Sequence, residues 1–300
     1  MTEPKVIMSL MFFTMAFAFY AATALFYIGY WLLRREWIGQ TATIMAYIAA
    51  LATTMVLIAR AGESGHAPFS NLYESMILFV WAITIGYLWL EHRYKIKVIG
   101  AFVMTISFLA VLSASLLPYR FKSVEPLNPA LQSKWKWLVG ILEPMGLERY
   151  AIGWLDFHVF TTFIGYAAFA IAFGLSIMYL LKERSEARKK GNFLVDSFPD
   201  TRILDELSYR GIAWGFPFLS LGIISGAIWA NYAWGTYWSW DPKETWSLIT
   251  WFVYAAYLHA RVTRGWRGKK SAYLSIAGFI AVVFLYWGVS FILPGLHAYA

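Results

Sequence analysis

Eight long apolar runs, at roughly 6–33, 40–59, 71–90, 98–118, 154–181, 211–230, 243–260 and 271–293, alternate with polar connections along the chain. Each comes close to the about 20 apolar residues that a helix needs to cross a hydrocarbon core at 1.5 Å rise per residue. The first run has only Lys5 before it as a basic residue and is too long for the apolar part of a signal peptide, so the pattern predicts a retained helix. There is no internal repeat and no low-complexity tract. Residues 1–300 therefore read as one all-α polytopic membrane domain with about eight transmembrane helices.

Composition agrees with the pattern. The chain is 60% hydrophobic and only 14% charged, which excludes a cytosolic enzyme and a disordered chain. The absence of cysteine excludes a disulfide framework and a cysteine-metal site. A net charge of +8 would suggest nucleic acid only if the basic residues formed a soluble patch, and here they are divided among the connections. That division sets the orientation. The connections around 34–36, 91–97, 182–210 and 261–270 hold 17 of the 25 Lys and Arg residues, so this side is expected to be cytoplasmic. Both termini then lie outside, at the periplasmic or extracytoplasmic face of a bacterial cytoplasmic membrane. Residues 182–210, opening with KERSEARKK, read as a solvated cytoplasmic loop, and 119–153, with SKWKWLVGILEPMGLERY, as an amphipathic stretch in the outer interface.

The segment 229–251 reads WANYAWGTYWSWDPKETWSLITW and holds six of the chain's 16 tryptophans. An aromatic belt would spread such residues over all the helix ends. Here Trp234, Trp238 and Trp240 crowd one outer connection, in which Gly235 permits a tight turn. The next helix start is well specified: Asp241 as cap, Pro242 at the first helical position and Glu244 three residues after the cap. Clustered flat side chains at a membrane surface make a platform for a large flat apolar ligand, which leaves haem, quinones and sterols open.

Histidine narrows the choice. His158 lies about one turn into the fifth span and His297 just past the last, so both fall at the depth of the tryptophan segment. Two imidazoles converging on an aromatic platform suit six-coordinate haem iron, whereas zinc lacks an evident third ligand. His259 lies 18 residues after Asp241 on the same helix, roughly 27 Å away, and so belongs to a second, inner site or to structure. His92 reads as a polar flank, and His66 as part of a turn packed against the site.

These residues carry a resemblance. WGTYWSWDPKETW, with ITWFVYAAYLHAR after it and GHAPFSNLYES, GWLDFHV and LPGLHAY elsewhere, resembles the tryptophan-rich WWD domain and flanking signatures of the CcsA family. That family belongs to System II cytochrome c biogenesis and to the haem-handling superfamily that includes CcmC and CcmF. The likeness runs over essentially the whole chain. It implies that His158 and His297 ligate haem at the outer face, that Trp234, Trp238, Trp240 and Asp241 belong to the haem-binding segment, and that His259 ligates at an inner site. It further implies a CcsB (ResB-like) partner that completes the inner site, non-covalent haem b in transit, an apocytochrome c CxxCH segment as substrate and thiol-reducing proteins as associates.

The resemblance implies presentation of haem for thioether attachment, as one subunit of a haem lyase. Positioning would then supply most of the catalysis, with Asp241 a helix cap rather than an acid or base. Lys243, Arg120 and Arg149 are all candidates to meet the haem propionates. Two other functions remain open on sequence: a haem exporter that takes no part in attachment, and a quinol-oxidising b-type cytochrome, for which the inner histidine pair is incomplete.

Overall fold

The computed structural model describes residues 4–118, 133–188, 192–293 and 295. Helices α1 (Pro4–Leu33), α2 (Glu36–Ser64), α3 (Leu72–Tyr94) and α4 (Gly100–Leu116) pass up and down through one half of a bundle. A short helix, α5 (Lys136–Leu142), precedes the second half, formed by α6 (Trp154–Ala187), α7 (Thr201–Trp234), α8 (Pro242–Thr263) and α9 (Lys269–Ile292). Among the described residues the only extended pairing is an isolated bridge between Lys134 and Gly153. The chain is an all-α, multi-pass membrane protein.

Seven of these helices are long and apolar enough to cross a membrane. The expected span 243–260 forms as α8, a continuous helix of 22 residues, but it stands outside the seven because it is the least apolar of the long helices. Lys243, Glu244, His259 and Arg261 lie within it. The expectation of a loop over 182–210 is corrected. Helix α6 continues to Ala187 and α7 begins at Thr201, so the connection shrinks to 188–200. Ion pairs explain the extension: Arg210 meets Glu206 one turn away at 2.9 Å, and Arg261 of α8 reaches Asp205 at 2.6 Å, giving the polar turns partners that a free loop would lack.

The most extensive contact in the bundle is between α6 and α7. Small residues allow it. A Cβ on Gly165 would stand 3.0 Å from the Gly215 carbonyl, and one on Gly215 would stand 2.8 Å from Phe169. Close backbone approach over small residues is a main source of helix association in lipid, where burial of apolar side chains gains little over lipid contact. Behind this seam Phe169 stacks on Tyr254 of α8 with ring centroids 3.6 Å apart.

Polar anchors tie each end of the bundle. At the basic end Lys97 pairs with Glu36, Lys269 with Glu183, and Arg261 with Asp205. There too the buried Glu91 carboxylate accepts from the hydroxyls of Tyr27 and Tyr87, each at 2.6 Å, and from Thr43 at 2.5 Å. At the opposite end, the site end, Arg60 donates from Nε and Nη2 to Glu74 Oε1 at 3.1 and 2.9 Å. Both residues are buried, and the second Glu74 oxygen accepts from the Ser70 amide and hydroxyl. Tyr286 of α9 donates to the Leu72 carbonyl, which holds α9 against the start of α3.

Removing one member of the Arg60–Glu74 pair leaves an uncompensated buried charge. Arg60→Met is therefore expected to cost about 3 kcal/mol, and Arg60→Met with Glu74→Leu to recover most of that loss. Thermal melting of the detergent-solubilised chain measures both. A double variant no more stable than the single one would refute the pairing as the source of the cost.

Candidate functional site

The α6–α7 seam ends at His158. Its Nδ1 lies 2.6 Å from the carbonyl oxygen of Gly222, and a Cβ added to Gly226 would stand 2.6 Å from the same nitrogen. A carbonyl only accepts, so Nδ1 carries a proton, and in the neutral ring Nε2 carries the lone pair. Backbone fixation of one ring nitrogen is how a metal-ligating imidazole is held in the tautomer and orientation it needs. The ring can approach α7 this closely only because Gly226 presents no side chain, as Gly222 does one turn earlier for Thr162.

His158 opens onto a cavity of about 130 Å³ between α6, α7, α8 and α9. Its wall includes Thr162 and Tyr166 of α6, Ile223 of α7, Trp238 from the connection, Lys243 of α8 and Tyr286 of α9. Thr162 lies one turn beyond His158 and is only 8% exposed, and its hydroxyl has no partner among the described residues. Buried hydroxyls are ordinarily satisfied, and this one packs against α7 at Gly222, where an added Cβ would collide with it.

The tryptophan segment divides in three. Trp229 and Trp234 end α7 and meet edge to face at 4.9 Å. Trp238 reaches the cavity, while Trp240 packs edge-on against it at 5.8 Å and is 68% exposed. Trp246 and Trp251 turn into the bundle, Trp246 against Phe284 and Trp251 against Phe216, with the Trp251 indole donating to Ser220. Trp240 adopts φ 60°, a left-handed conformation that costs a bulky residue about 1–2 kcal/mol. The chain accepts this one residue before the cap of α8, and the indole is thereby left facing outward.

The cap itself forms as the spacing predicts. Asp241 accepts from the Lys243 amide, and Glu244 Oε2 accepts from the amides of Ser239 and Asp241 at 2.7 and 3.2 Å. Pro242 occupies the first turn. Asp241 is 7% exposed and its carboxylate packs against Gly295, where a Cβ would collide with it and stand 3.1 Å from Pro242 Cδ. His297 lies outside the described residues, but the chain two residues before it is thus seated on the cap of the tryptophan segment.

The remaining histidines separate by position. His66 is 5% exposed, bonds through Nδ1 to the Ala67 carbonyl at 2.8 Å and interacts electrostatically with Asp156 at the start of α6. His259 is exposed near the other end of α8, far from His158. His92 is exposed at the end of α3. Among the described residues no three His, Asp or Glu side chains gather as a metal site. Thr162, Gly222, Gly226 and Tyr286 were not singled out from the sequence. The first follows from its spacing of four from His158, and the glycines from the small residues at 222, 226 and 230. Nothing in the sequence brings Tyr286 to the site.

Comparison with known proteins shows the family. A family model described as Cytochrome C assembly protein matches residues 150–297, the half of the chain that builds the cavity. A cytochrome c biogenesis protein CcsA from Guillardia theta is 41% identical over 279 residues, covering 88% of this chain and 85% of that one. Another, from Prochlorococcus marinus (strain NATL2A), is 39% identical over 298 residues, covering 91% and 89%. The solved structure of the cytochrome c heme lyase CcmF superposes with a TM-score of 0.63 over 95% of this chain, at 18% identity. At that identity the likeness is one of fold, and this chain spans about half the length of that lyase, 47%. The chain is a membrane protein of cytochrome c assembly. It belongs to the CcsA family of cytochrome c biogenesis proteins.

If Asp241 acts as a helix cap, Asp241→Asn should melt within a degree or two of the parent and Asp241→Ala should lose about 1 kcal/mol. Equal losses in the two variants, read from thermal melts, would assign the carboxylate a role that depends on its charge.

Proposed function

We propose that this chain holds haem at the outer face of a cytoplasmic membrane and presents it to the CxxCH segment of an apocytochrome c, as the CcsA subunit of a complex with a CcsB-type partner. The observation that carries the proposal is the fixed His158 imidazole, set in a ligating tautomer at the mouth of a cavity that Trp238 also lines. The residues present suit haem in their shape and lining as well. Gly226 leaves room for the imidazole that a Cβ would displace, and aromatic side chains, Phe163, Tyr166, Tyr237, Trp238 and Tyr286, line the cavity beside it. His297 would supply the second axial nitrogen from the segment seated on Asp241.

Haem, here the cargo, supplies iron and two vinyl groups. In thioether formation each cysteine sulfur bonds to a vinyl carbon and the thiol proton goes to the neighbouring carbon, so no group of this chain is consumed. What the chain contributes is position: His158 and His297 hold the iron, and the tryptophans hold the plane of the ring. A chaperone without cysteine offers no competing thiol. His259, exposed on α8, would ligate at the inner site together with a residue of the partner, and haem would pass from there to the outer pair.

The test is the optical spectrum of the chain purified with its partner. His158→Gly or Gly226→Val should lower the reduced b-type signal several-fold, and added imidazole should restore part of it in His158→Gly. An unchanged signal in both would move ligation elsewhere. His259→Gly is expected to reduce haem loading only when the partner is present. Equal loss in the isolated chain would make that residue structural. Haem export without thioether product, on reconstitution with an apocytochrome, would sink the attachment role.

A further inference from the structure

We propose that residues 135–152 form a membrane-docking surface at the site end of the bundle, seated in the lipid interface with Trp137, Ile141 and Met145 facing the acyl chains. This docking is independent of haem. Of the amphipathic stretch 119–153, residues 119–132, Arg120 among them, and the side chain of Arg149 lie outside the described residues. The described part is a short hairpin: α5, a tight turn at Gly146 with φ 67°, and a return through Glu148–Tyr150 to α6. No side chain of α5 is buried, and its seven residues fall well short of the about 12–15 that an isolated helix needs to persist in water. Packing within the chain is too sparse to hold it, so a surface beyond the chain has to supply the rest.

The hairpin is fastened where a span begins. The Trp135 amide donates to the Ile152 carbonyl at 3.1 Å and the Trp154 amide to the Ser133 carbonyl at 3.4 Å, which closes the hairpin onto the first turn of α6. The Trp135 ring meets Trp154 and Phe157 at 5.7 and 5.9 Å. Because α6 is one of the helices long and apolar enough to cross a membrane, a hairpin tied to its first turn lies at the membrane boundary.

The outward side chains suit lipid. Trp137 is 63% exposed, and Ile141 and Met145 are 57% exposed. Trp137 and Ile141 stand one turn apart on the same face of α5. Residues on the outward sides of α1 and α2 are open to the same degree, Leu25 at 69% and Ile58 at 59%. Lys136, Glu143 and Glu148 are exposed among the apolar residues, which sets the hairpin at headgroup depth and not in the hydrocarbon core. Tryptophan beside lysine at the end of a span is the composition of a membrane interface. The core of a protein-docking patch is instead depleted in Lys and Glu.

The chain contains no cysteine, so Trp137→Cys, Ile141→Cys and Met145→Cys each carry one environment-sensitive fluorophore at an exposed position. The full-length variants are reconstituted in vesicles of phosphatidylcholine and phosphatidylglycerol, alone and with the CcsB-type partner. Quenching is read with iodide on both sides of the membrane, and with lipids bearing a nitroxide near the headgroup or at the end of the acyl chain. All three positions should be quenched several-fold more by the shallow nitroxide than by the deep one, and several-fold less by iodide than the free dye is, with or without the partner. Iodide quenching equal to that of the free dye would mean an aqueous face and overturn the proposal. Shielding that arises only with the partner would make the surface a protein contact, and stronger quenching by the deep nitroxide would put it in the core. Either result rejects docking at the interface.

Discussion

The close approach of α6 and α7 is the constraint on which the site depends. Backbones that meet over Gly165 and Gly215 bring the start of α6 within reach of the end of α7, so that His158 finds the Gly222 carbonyl. In water such a seam would be supplemented by burial of large apolar side chains. In lipid that contribution is small, and contact between backbones has to carry the association. The arrangement ties stability to chemistry. A methyl group at Gly226 would disturb both the packing of two helices and the orientation of an imidazole. The cavity follows from the same seam, because Gly226, which admits the ring, also lines it.

Much of the fold was legible because membrane spans announce themselves by length and apolarity. The chain departs from that reading where polar residues are paired in ways a one-dimensional pattern does not reveal. Asp205 and Glu206 look like loop residues until Arg261, 55 or more positions away, is placed beside them. Helix α8 shows the opposite case: its helical character was clear from the capping sequence, but its polar residues keep it from reading as an ordinary span. At the site, local signals served well. The cap at Asp241 is written in four consecutive residues, and His158 stood out as an ionisable group near a membrane boundary. What could not be seen was the other side of each contact. The carbonyl that fixes His158 belongs to a glycine 64 residues later, and backbone atoms leave no trace in composition. The tryptophans divided for the same reason, since a cluster in sequence on two helices and a turn points in several directions in space.

The bundle keeps its two ends different in kind. The basic end is held by ion pairs and by a buried carboxylate ringed with hydroxyls, which gives a polar but closed surface. Among the described residues the site end is held by the buried Arg60–Glu74 pair, by Tyr286 and by the cap, and it carries the exposed Tyr237 and Trp240. His259 lies near the first and His158 at the second, joined to it by one unbroken helix and its neighbours.

Within α9 the residues Phe284–Gly288 form a π turn before the helix resumes at Val289. Such a turn holds one residue more than the α-helix around it, and so rotates everything beyond it by the share of a turn that one residue represents. Leu293, where α9 ends, therefore faces a side of the helix set by this turn and not by the repeat before it. Between two homologous chains, one with this extra residue and one without, an alignment would show a single gap in a hydrophobic helix and suggest little. In space that gap would be a change of heading for everything downstream, while the helix on either side stayed as it was.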